Sequence, residues 1–257
     1  MNSRSSPVLL SPGDPPPVRK VNPHGSSPFL LIGDHAGNAV PSSLGFLGLS
    51  GDEMTRHIAW DIGVAGLGKR LSAALDAVFI RQSYSRLVID CNRHPEAPDA
   101  MPAASDGTLI PANRDLSSHG RAARVREIHV PYQHEIADEL ARRDEANEEA
   151  ILVSLHSFTP AMQGIARPWQ IGVLHSGGNS SFALALLRLL KERGDLTVGD
   201  NQPYAMDSID YTVPCHAFAS NRRYVEIEVR QDLLMAADQQ AAWSKMLAAL
   251  FANAAGV

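Results

Sequence analysis

Short runs of apolar residues recur along the chain from Pro28 onward, and longer segments with helical spacing separate them. Each run has the length of a buried strand, and most lack the alternation of a half-exposed strand, as expected when both faces of a sheet are covered. The runs are residues 29–32, 78–80, 87–89, 151–155, 171–174 and 224–230. Strands that alternate with helices predict an α/β fold built from parallel β-α-β units.

The last run differs from the others because it alternates. Val225, Ile227 and Val229 are predicted to face one way, and Glu226 and Glu228 the other. The predicted helices are residues 53–76, 121–148, 181–191 and 239–252. Two long segments, residues 92–116 and 194–219, are predicted loops, and loops of that length in a compact domain are often functional.

Residues 1–27 are rich in Ser and Pro, including Pro15, Pro16 and Pro17. Proline fixes φ and lacks a backbone N–H, so this stretch is not expected to form a helix or a central strand. We predict an N-terminal tail over residues 1–27, either mobile or laid along the surface. Residues 28–257 are then a single domain.

The composition is that of an ordinary globular protein, and it indicates neither nucleic acid nor a membrane as a partner. The 257 residues are 44% hydrophobic and 20% charged, and the net charge of −5 gives no reason to expect nucleic acid or an acidic membrane as a partner. No apolar run approaches the ~18 residues that span a bilayer, and the N-terminus lacks the apolar stretch of a signal peptide. We therefore predict a cytoplasmic location and reduced thiols at Cys91 and Cys215. The sequence does not indicate an oligomeric state.

Polar residues follow four of the apolar runs at the point where each run ends. His35 follows the first run, Asn92 and Arg93 the third, His156 the fourth and His175 the fifth. Ligands of open parallel sheets bind outside the carboxyl ends of the strands. The pattern therefore predicts one shared site, although His175 is more often a structural residue in such a position.

His35 and His156 are the first candidates for metal ligands. A catalytic zinc typically takes three protein ligands and keeps one position open, and imidazole is a common ligand. Either ring can instead cap its strand by hydrogen bonding. His57 and Asp61 lie four residues apart on a predicted helix and share one face, so one of them can supply the third ligand. We favour Asp61; the alternative is a local His–Asp pair on the helix surface.

Arginine and amide side chains indicate an anionic substrate. The guanidinium of Arg93 matches a carboxylate in bidentate fashion, and Asn92 can donate a further hydrogen bond. Arg86 and Arg167 flank strands of the same predicted sheet. Each arginine alone can equally form a surface ion pair, but three near one cleft would bind a negatively charged compound.

Glu228 is the candidate for proton transfer. A carboxylate in a partly buried site beside a metal can accept a proton from water and pass it to a leaving nitrogen. The alternative is a solvent-exposed strand face on which Glu226, Glu228 and Arg230 pair with one another.

With these residues in view, the chain resembles the N-formylglutamate amidohydrolase family over about residues 29–234. The resemblance is carried by blocks at residues 33–37 (GDHAG), 57–63 (HIAWDIG), 85–93 (SRLVIDCNR), 105–108 (SDGT), 155–160 (LHSFTP), 167–169 (RPW) and 228–233 (EVRQDL). That family is similar in turn to the zinc carboxypeptidases and the aspartoacylase-type deacylases.

The resemblance implies a fold and a set of roles. The fold is a three-layer α/β/α arrangement with a mostly parallel, mixed central sheet, phosphorylase/hydrolase-like, as in the zinc carboxypeptidases. The cofactor is Zn²⁺ or another divalent metal such as Mn²⁺, Fe²⁺ or Co²⁺. His156 is expected to bind the zinc, Asn92 and Arg93 to clamp a substrate carboxylate, and Glu228 to act as general base.

One position departs from the wider superfamily. A zinc-binding Glu is expected three residues after the first His, but Asn38 stands there and is a poor zinc ligand. We expect Asp61 to replace it, because the block around Trp60 recurs in the family with a ligand-type residue after the Trp.

The reaction that the resemblance implies is hydrolysis of N-formyl-L-glutamate to formate and L-glutamate. Two alternatives stay open. One is hydrolysis of another N-acyl acidic amino acid or of a short peptide, because pocket dimensions decide specificity. The other is an inactive relative that binds a small molecule.

Overall fold

A seven-stranded mixed sheet forms the middle layer of the protein. The structure is a computed structural model that describes residues 8–256, so residues 1–7 of the predicted tail lie outside the described residues. The strands are β1 Val18–Val21, β2 Phe29–Gly33, β3 Val78–Gln82, β4 Ala104–Ser105, β5 Thr108–Leu109, β6 Ile151–Phe158, β7 Ala161–Met162, β8 Ile165–Ala166, β9 Ile171–Leu174, β10 Val198–Asp200 and β11 Tyr224–Arg230. The sheet order is β1-β3-β2-β6-β11-β9-β10, while β4–β5 and β7–β8 form separate two-stranded hairpins.

The central strands share one direction and the outer ones reverse it. Strands β3, β2, β6 and β11 run parallel. Strand β1 is antiparallel to β3, and β9 is antiparallel to β11, with β10 parallel to β9. The carboxyl ends of the four parallel strands therefore meet at one edge of the sheet, whereas β9 ends at the other. Strand β1, which belongs to the Pro-rich N-terminal segment, lies at the edge of the sheet, where proline is tolerated nearby.

Helices cover both faces of the sheet. The helices are α1 Gly51–Met54, α2 Val64–Leu75, α3 Pro111–Arg114, α4 Ser118–Arg124, α5 Val130–Glu145, α6 Ser181–Arg193 and α7 Ala237–Ala255, and a π-helical turn at Val125–His129 joins α4 to α5. Helices α2, α6 and α7 pack on one face through residues such as Leu67, Leu186 and Phe251. The α4–α5 segment packs on the other face through Ile128 and Ile136. The predicted three-layer α/β/α fold with a mixed sheet is confirmed.

The predicted strand at residues 87–89 is wrong. These apolar residues are buried, as the pattern indicated, but they lie in turns. Two of their carbonyl groups accept hydrogen bonds from distant side chains: Asn113 Nδ2 donates to Leu87 O and Arg124 Nη1 donates to Val88 O, both at 2.8 Å. With its backbone groups satisfied in this way, the buried segment does not need a neighbouring strand.

The predicted helix over residues 53–76 is also wrong in its middle. Helix α1 ends at Met54, and α2 begins only after Gly63, whose φ of 86° is the left-handed conformation that glycine adopts without strain. His57 and Asp61 therefore lie in the irregular segment between two helices and do not share a helix face. None of the helices within residues 8–256 is long and apolar enough to cross a lipid bilayer.

A matched pair of leucines on α6 tests the packing of the layers. Leu186→Ala removes a fully buried side chain and should lower the free energy of unfolding by about 2–5 kcal/mol through lost burial and a residual cavity. Leu184→Ala makes the same chemical change at a position that is 48% exposed and should cost less than about 0.5 kcal/mol. Urea unfolding of both variants checks this, and equal losses would contradict the packing described for α6.

Candidate active site

Side chains from three separate segments meet beside the sheet. His35 lies just after β2, Asp61 just before α2, and His156 within β6. All three are buried, and their candidate ligand atoms lie within 4.8 Å of one another. Asp61 Oδ2 is 2.9 Å from His156 Nδ1 and 3.6 Å from His35 Nδ1. This buried group, hereafter the His–Asp–His group, is able to bind a metal ion.

Two further carboxylates orient the imidazole rings. His35 Nε2 is 2.6 Å from Asp90 Oδ1, and His156 Nε2 is 3.4 Å from Asp34 Oδ2. Each ring therefore turns its Nδ1 toward Asp61, in the way that metal-binding histidines usually hold a carboxylate on the other nitrogen. His35 Nδ1 has no hydrogen-bond partner among residues 8–256 although it is buried. Two imidazole nitrogens and a carboxylate fit a divalent metal such as zinc.

Opposite charges hold this buried group together. Burial alone would raise the pKa of the Asp61 carboxyl, but His35 and His156 outweigh that effect and hold the pKa below its usual range. Burial and Arg86 lower the pKa of His35, while Asp90 and Asp61 outweigh them, so that the pKa is raised. Each buried charge thus has a partner of the opposite sign, which burial requires.

Glu228 projects beside the His–Asp–His group. It lies opposite His156 in the parallel register of β11 and β6, so both side chains leave the same face of the sheet. The alternative of a solvent-exposed strand face is wrong, because Glu226 is 3% and Glu228 6% exposed. Burial raises the pKa of Glu228 to about 8, and its Oε2 has no hydrogen-bond partner among residues 8–256. A carboxyl group of this kind can take up and release a proton near neutral pH.

A cavity of about 370 Å³ opens over the His–Asp–His group and Glu228. Both segments that the sequence predicted as functional loops contribute to it. The first supplies Pro102, Ser105 and Asp106, and the second supplies Tyr204, Asp207, Ile209 and Asp210. The cavity has the size of a site for a small molecule.

Arg86 lines the cavity between two carboxylates of the site. Its Nη2 is 2.7 Å from Asp90 Oδ2, and its Nη1 is 3.5 Å from Asp61 Oδ1. Because Asp90 also contacts His35, the Arg86 guanidinium is tied directly into the charge network around the His–Asp–His group.

Asn92 lines the cavity but uses its amide to hold a loop. Its Oδ1 accepts hydrogen bonds from the backbone N–H groups of Tyr211 and Thr212, at 3.0 and 2.9 Å. Its Nδ2 donates to Asp210 Oδ1 at 3.2 Å. The side chain therefore joins the two long loops that border the cavity.

The other two predicted arginines differ in their partners. Arg93 lines the cavity, and its guanidinium lies 3.3 Å from Asp99 and 3.6 Å from Asp210. Arg167 donates to the Tyr204 hydroxyl at 2.9 Å and lies 4.8 Å from the centre of that ring. Among residues 8–256, no carboxylate lies within ion-pair distance of Arg167.

His175 does not join the site. The expectation that the fifth apolar run ends at the shared site is wrong, because β9 is antiparallel to β11 and so ends at the opposite edge of the sheet. The His175 ring instead lies 2.9 Å from Asp200.

The two other candidates for a third metal ligand lie outside the His–Asp–His group. His57 lines the cavity, but its Nε2 is 3.4 Å from Asp106 Oδ2. Asn38 donates its amide to Met54 O at 2.6 Å. Of the three candidates, the structure therefore brings Asp61 alone together with His35 and His156.

Asp34 and Asp90 are site residues for which the sequence indicated no role. Both orient the histidine rings, as described above. Their positions in the sequence could have identified them: Asp34 directly precedes His35, and Asp90 lies in the same block as Asn92. Their role depends on which ring each one contacts, and that contact arises only in the folded chain.

The chain is similar to known proteins over most of its length. The sequence model of the N-formylglutamate amidohydrolase family matches residues 27–235. A solved structure of a gene product from Agrobacterium tumefaciens is 35% identical, with 96% of this chain and 98% of that chain covered and a TM-score of 0.92. An N-formylglutamate amidohydrolase from Ralstonia eutropha JMP134 is 19% identical, with 92% and 96% covered and a TM-score of 0.69, which shows a shared fold. No curated protein sequence matches the chain.

The loop-holding contacts of Asn92 lead to a prediction about local stability. Asn92→Ala removes the acceptor of one buried and one partly buried N–H group and should lower the free energy of unfolding by about 1–3 kcal/mol. The amides of Tyr211 and Thr212 should exchange faster with deuterium. Asn179→Ala, which loses only exposed hydrogen bonds, is the control. Unchanged exchange at these two amides in Asn92→Ala would contradict the described role.

Proposed function

Because this chain belongs to the N-formylglutamate amidohydrolase family, we propose that it hydrolyses the amide bond of an N-acyl amino acid with the help of a divalent metal ion. Zinc is the first metal to consider, and His35, Asp61 and His156 would hold it. N-formyl-L-glutamate, the compound in the family name, is the first substrate to assay, with formate and L-glutamate as products.

The buried His–Asp–His group, with a carboxylate behind each imidazole, lies beside Glu228 at the base of a cavity large enough for an N-acyl amino acid. A purely structural ion-pair cluster would not need a buried carboxyl group with an unpaired oxygen facing a cavity. The same arrangement favours an active enzyme over the alternative of an inactive relative that binds a small molecule.

His35, Asp61 and His156 would hold the metal, which would supply Lewis acidity to polarise an amide carbonyl and to make water more acidic. In its ionised form, Glu228 accepts a proton from the attacking water, whose oxygen bonds to the acyl carbon. Glu228 then delivers that proton to the amide nitrogen as the C–N bond breaks, which releases the carboxylic acid and the free amine. Asp90 and Asp34 hold the two rings in the orientation that keeps each Nδ1 toward Asp61.

The remaining polar residues surround the amino-acid part of the substrate. Arg86 and Arg93 line the cavity and contribute positive charge, although each has carboxylate partners. Asn92 acts on the substrate side by fixing the position of the 207–212 loop. Arg167 contributes a guanidinium next to Tyr204.

Metal content tests the ligand set. Wild-type protein loaded with zinc and then desalted should retain about one zinc per chain, and His35→Ala, Asp61→Ala and His156→Ala should each lose it. His57→Ala and Asn38→Ala should retain zinc, because neither side chain belongs to the His–Asp–His group. Elemental analysis of all six proteins checks this. Loss of zinc from His57→Ala with retention in Asp61→Ala would overturn the assignment of Asp61.

Formate release tests the chemistry. The zinc-loaded protein should release formate from N-formyl-L-glutamate, and chelator treatment should abolish the release. Glu228→Gln keeps the size of the side chain but removes the proton acceptor, so kcat should fall by roughly 100-fold or more. The zinc content of this variant should be unchanged, which separates loss of the base from loss of the metal. Normal turnover by Glu228→Gln would refute the role of Glu228.

A further inference from the structure

Two of the three arginines near the cavity already have acidic partners. Arg86 lies between Asp90 and Asp61, at 2.7 and 3.5 Å. Arg93 lies between Asp99 and Asp210, at 3.3 and 3.6 Å. A carboxylate of the substrate that approaches either guanidinium also approaches two aspartates, and their repulsion offsets the attraction. Neither arginine is therefore a free anion site.

The hydrogen-bonding capacity of Arg93 is also largely used by the protein. Its Nη1 donates to Asn92 O at 2.9 Å and to Ile209 O at 3.3 Å, in addition to its contact with Asp210. Its Nε faces Asp99. A bidentate clamp on a substrate carboxylate needs two adjacent N–H groups, and the protein occupies one member of each such pair.

The wall of the cavity around Arg93 carries more acid than base. Asp99, Asp207 and Asp210 all line the cavity on this side. Asp207 accepts a hydrogen bond from Ile209 N at 2.8 Å, and among residues 8–256 it has no ion pair with a basic side chain. Three carboxylates against one guanidinium give this wall, hereafter the acidic wall, a negative balance. It disfavours a second carboxylate on a substrate.

Arg167 contacts two residues of the cavity lining, and among residues 8–256 no carboxylate lies within ion-pair distance of its guanidinium. Its Nη1 donates to the Tyr204 hydroxyl at 2.9 Å, and its Nη2 lies 2.7 Å from Met162 Sδ. Tyr204 and Met162 both line the cavity. These contacts hold the guanidinium in place without neutralising it, which leaves its charge available to one anionic group.

From this distribution of charge we infer that the substrate is an N-acyl amino acid with a single carboxylate, which Arg167 binds, and with a side chain that is neutral or basic and faces the acidic wall. This inference rests on the proposed amide hydrolysis and narrows its substrate class. It favours compounds such as N-formyl-L-glutamine over N-formyl-L-glutamate, although the two have nearly the same size.

The first experiment compares these two compounds on the zinc-loaded protein. We expect kcat/KM for N-formyl-L-glutamine to exceed that for N-formyl-L-glutamate by roughly 10-fold or more, because one uncompensated charge near the acidic wall is disfavoured. An equal or higher value for the glutamate compound overturns the inference and leaves amide hydrolysis standing.

A binding measurement separates failure of the inference from failure of the proposed function. If neither compound is hydrolysed, the proposed function fails for these substrates, and calorimetry of both compounds with the same zinc-loaded protein decides the inference. Tighter binding of the glutamine compound supports it. Equal binding, tighter binding of the glutamate compound, or no binding of either at millimolar concentration overturns it.

The role of Arg167 is tested by changing the protein and the ligand together. Arg167→Met should lower kcat/KM for N-formyl-L-glutamine by roughly 10- to 100-fold, the range for a lost charged hydrogen bond. For the matching compound whose α-carboxylate is replaced by a carboxamide, the same variant should lose less than about 3-fold, because no carboxylate is there to bind. Similar losses on both compounds would show that Arg167 acts only through packing and would overturn its role as anchor.

Asp207→Asn tests the acidic wall separately. Asparagine can still accept the hydrogen bond from Ile209 N, so the loop should keep its conformation. Removing one negative charge should lower the ratio of kcat/KM for the glutamine compound to kcat/KM for the glutamate compound several-fold. The change should come chiefly from a lower KM for the glutamate compound. An unchanged ratio would count against the acidic wall as the source of specificity.

Discussion

The buried junction at Asp61 Oδ2, where two imidazole rings and one carboxylate meet, is the contact on which the rest of the site depends. Charged groups that are removed from water need partners, and loss of one partner of a buried ion pair typically costs about 3–5 kcal/mol. The ion pairs continue beyond this junction, because Asp90 contacts both His35 and Arg86. The network therefore stays rigid only while all its members are present, which suits a site that must hold its ligands in one geometry.

The direction of the strands decides which side chains reach this junction. Because β6 and β11 are parallel neighbours, Glu228 lies opposite His156, and no loop is needed to bring them together. A close backbone approach completes the arrangement: a Cβ on Gly37 would lie 2.2 Å from Ser83 O, so only glycine lets the chain after β2 lie against the chain after β3. His35 and Asp90, which follow these two strands, can then meet.

The outer part of the cavity is built differently from its base. At the base, His35, His156 and Glu228 project from strands or directly after them, and Asp61 projects from the segment before α2. The rim consists instead of two long loops joined by Asn92. Arg93 at the rim forms ion pairs with two other rim residues, Asp99 and Asp210. The contacts that shape the cavity therefore also neutralise positive charge. The chemistry of the base and the choice of substrate at the rim are thus carried by separate structural features.

From the sequence alone came the fold class, most strands of the central sheet, and His35 and His156 as candidate ligands, with Asp61 favoured over His57 as the third. Local patterns suffice for strands such as β6, because a continuous apolar run reports burial on both faces. The family blocks placed His35, Asp61, His156 and Glu228 in one site. These features depend on the order and type of neighbouring residues, which the sequence contains directly.

Only the tertiary structure decided the direction of β9, the turns at residues 87–89 and the partners of the arginines. An apolar run does not show whether its backbone bonds go to a strand or, as at Leu87, to the side chain of Asn113. Likewise, the charge of Arg93 is visible in the sequence, but its neutralisation by Asp210, 117 residues away along the chain, is not. Contacts of this kind arise from packing between distant segments, and so local sequence patterns do not specify them.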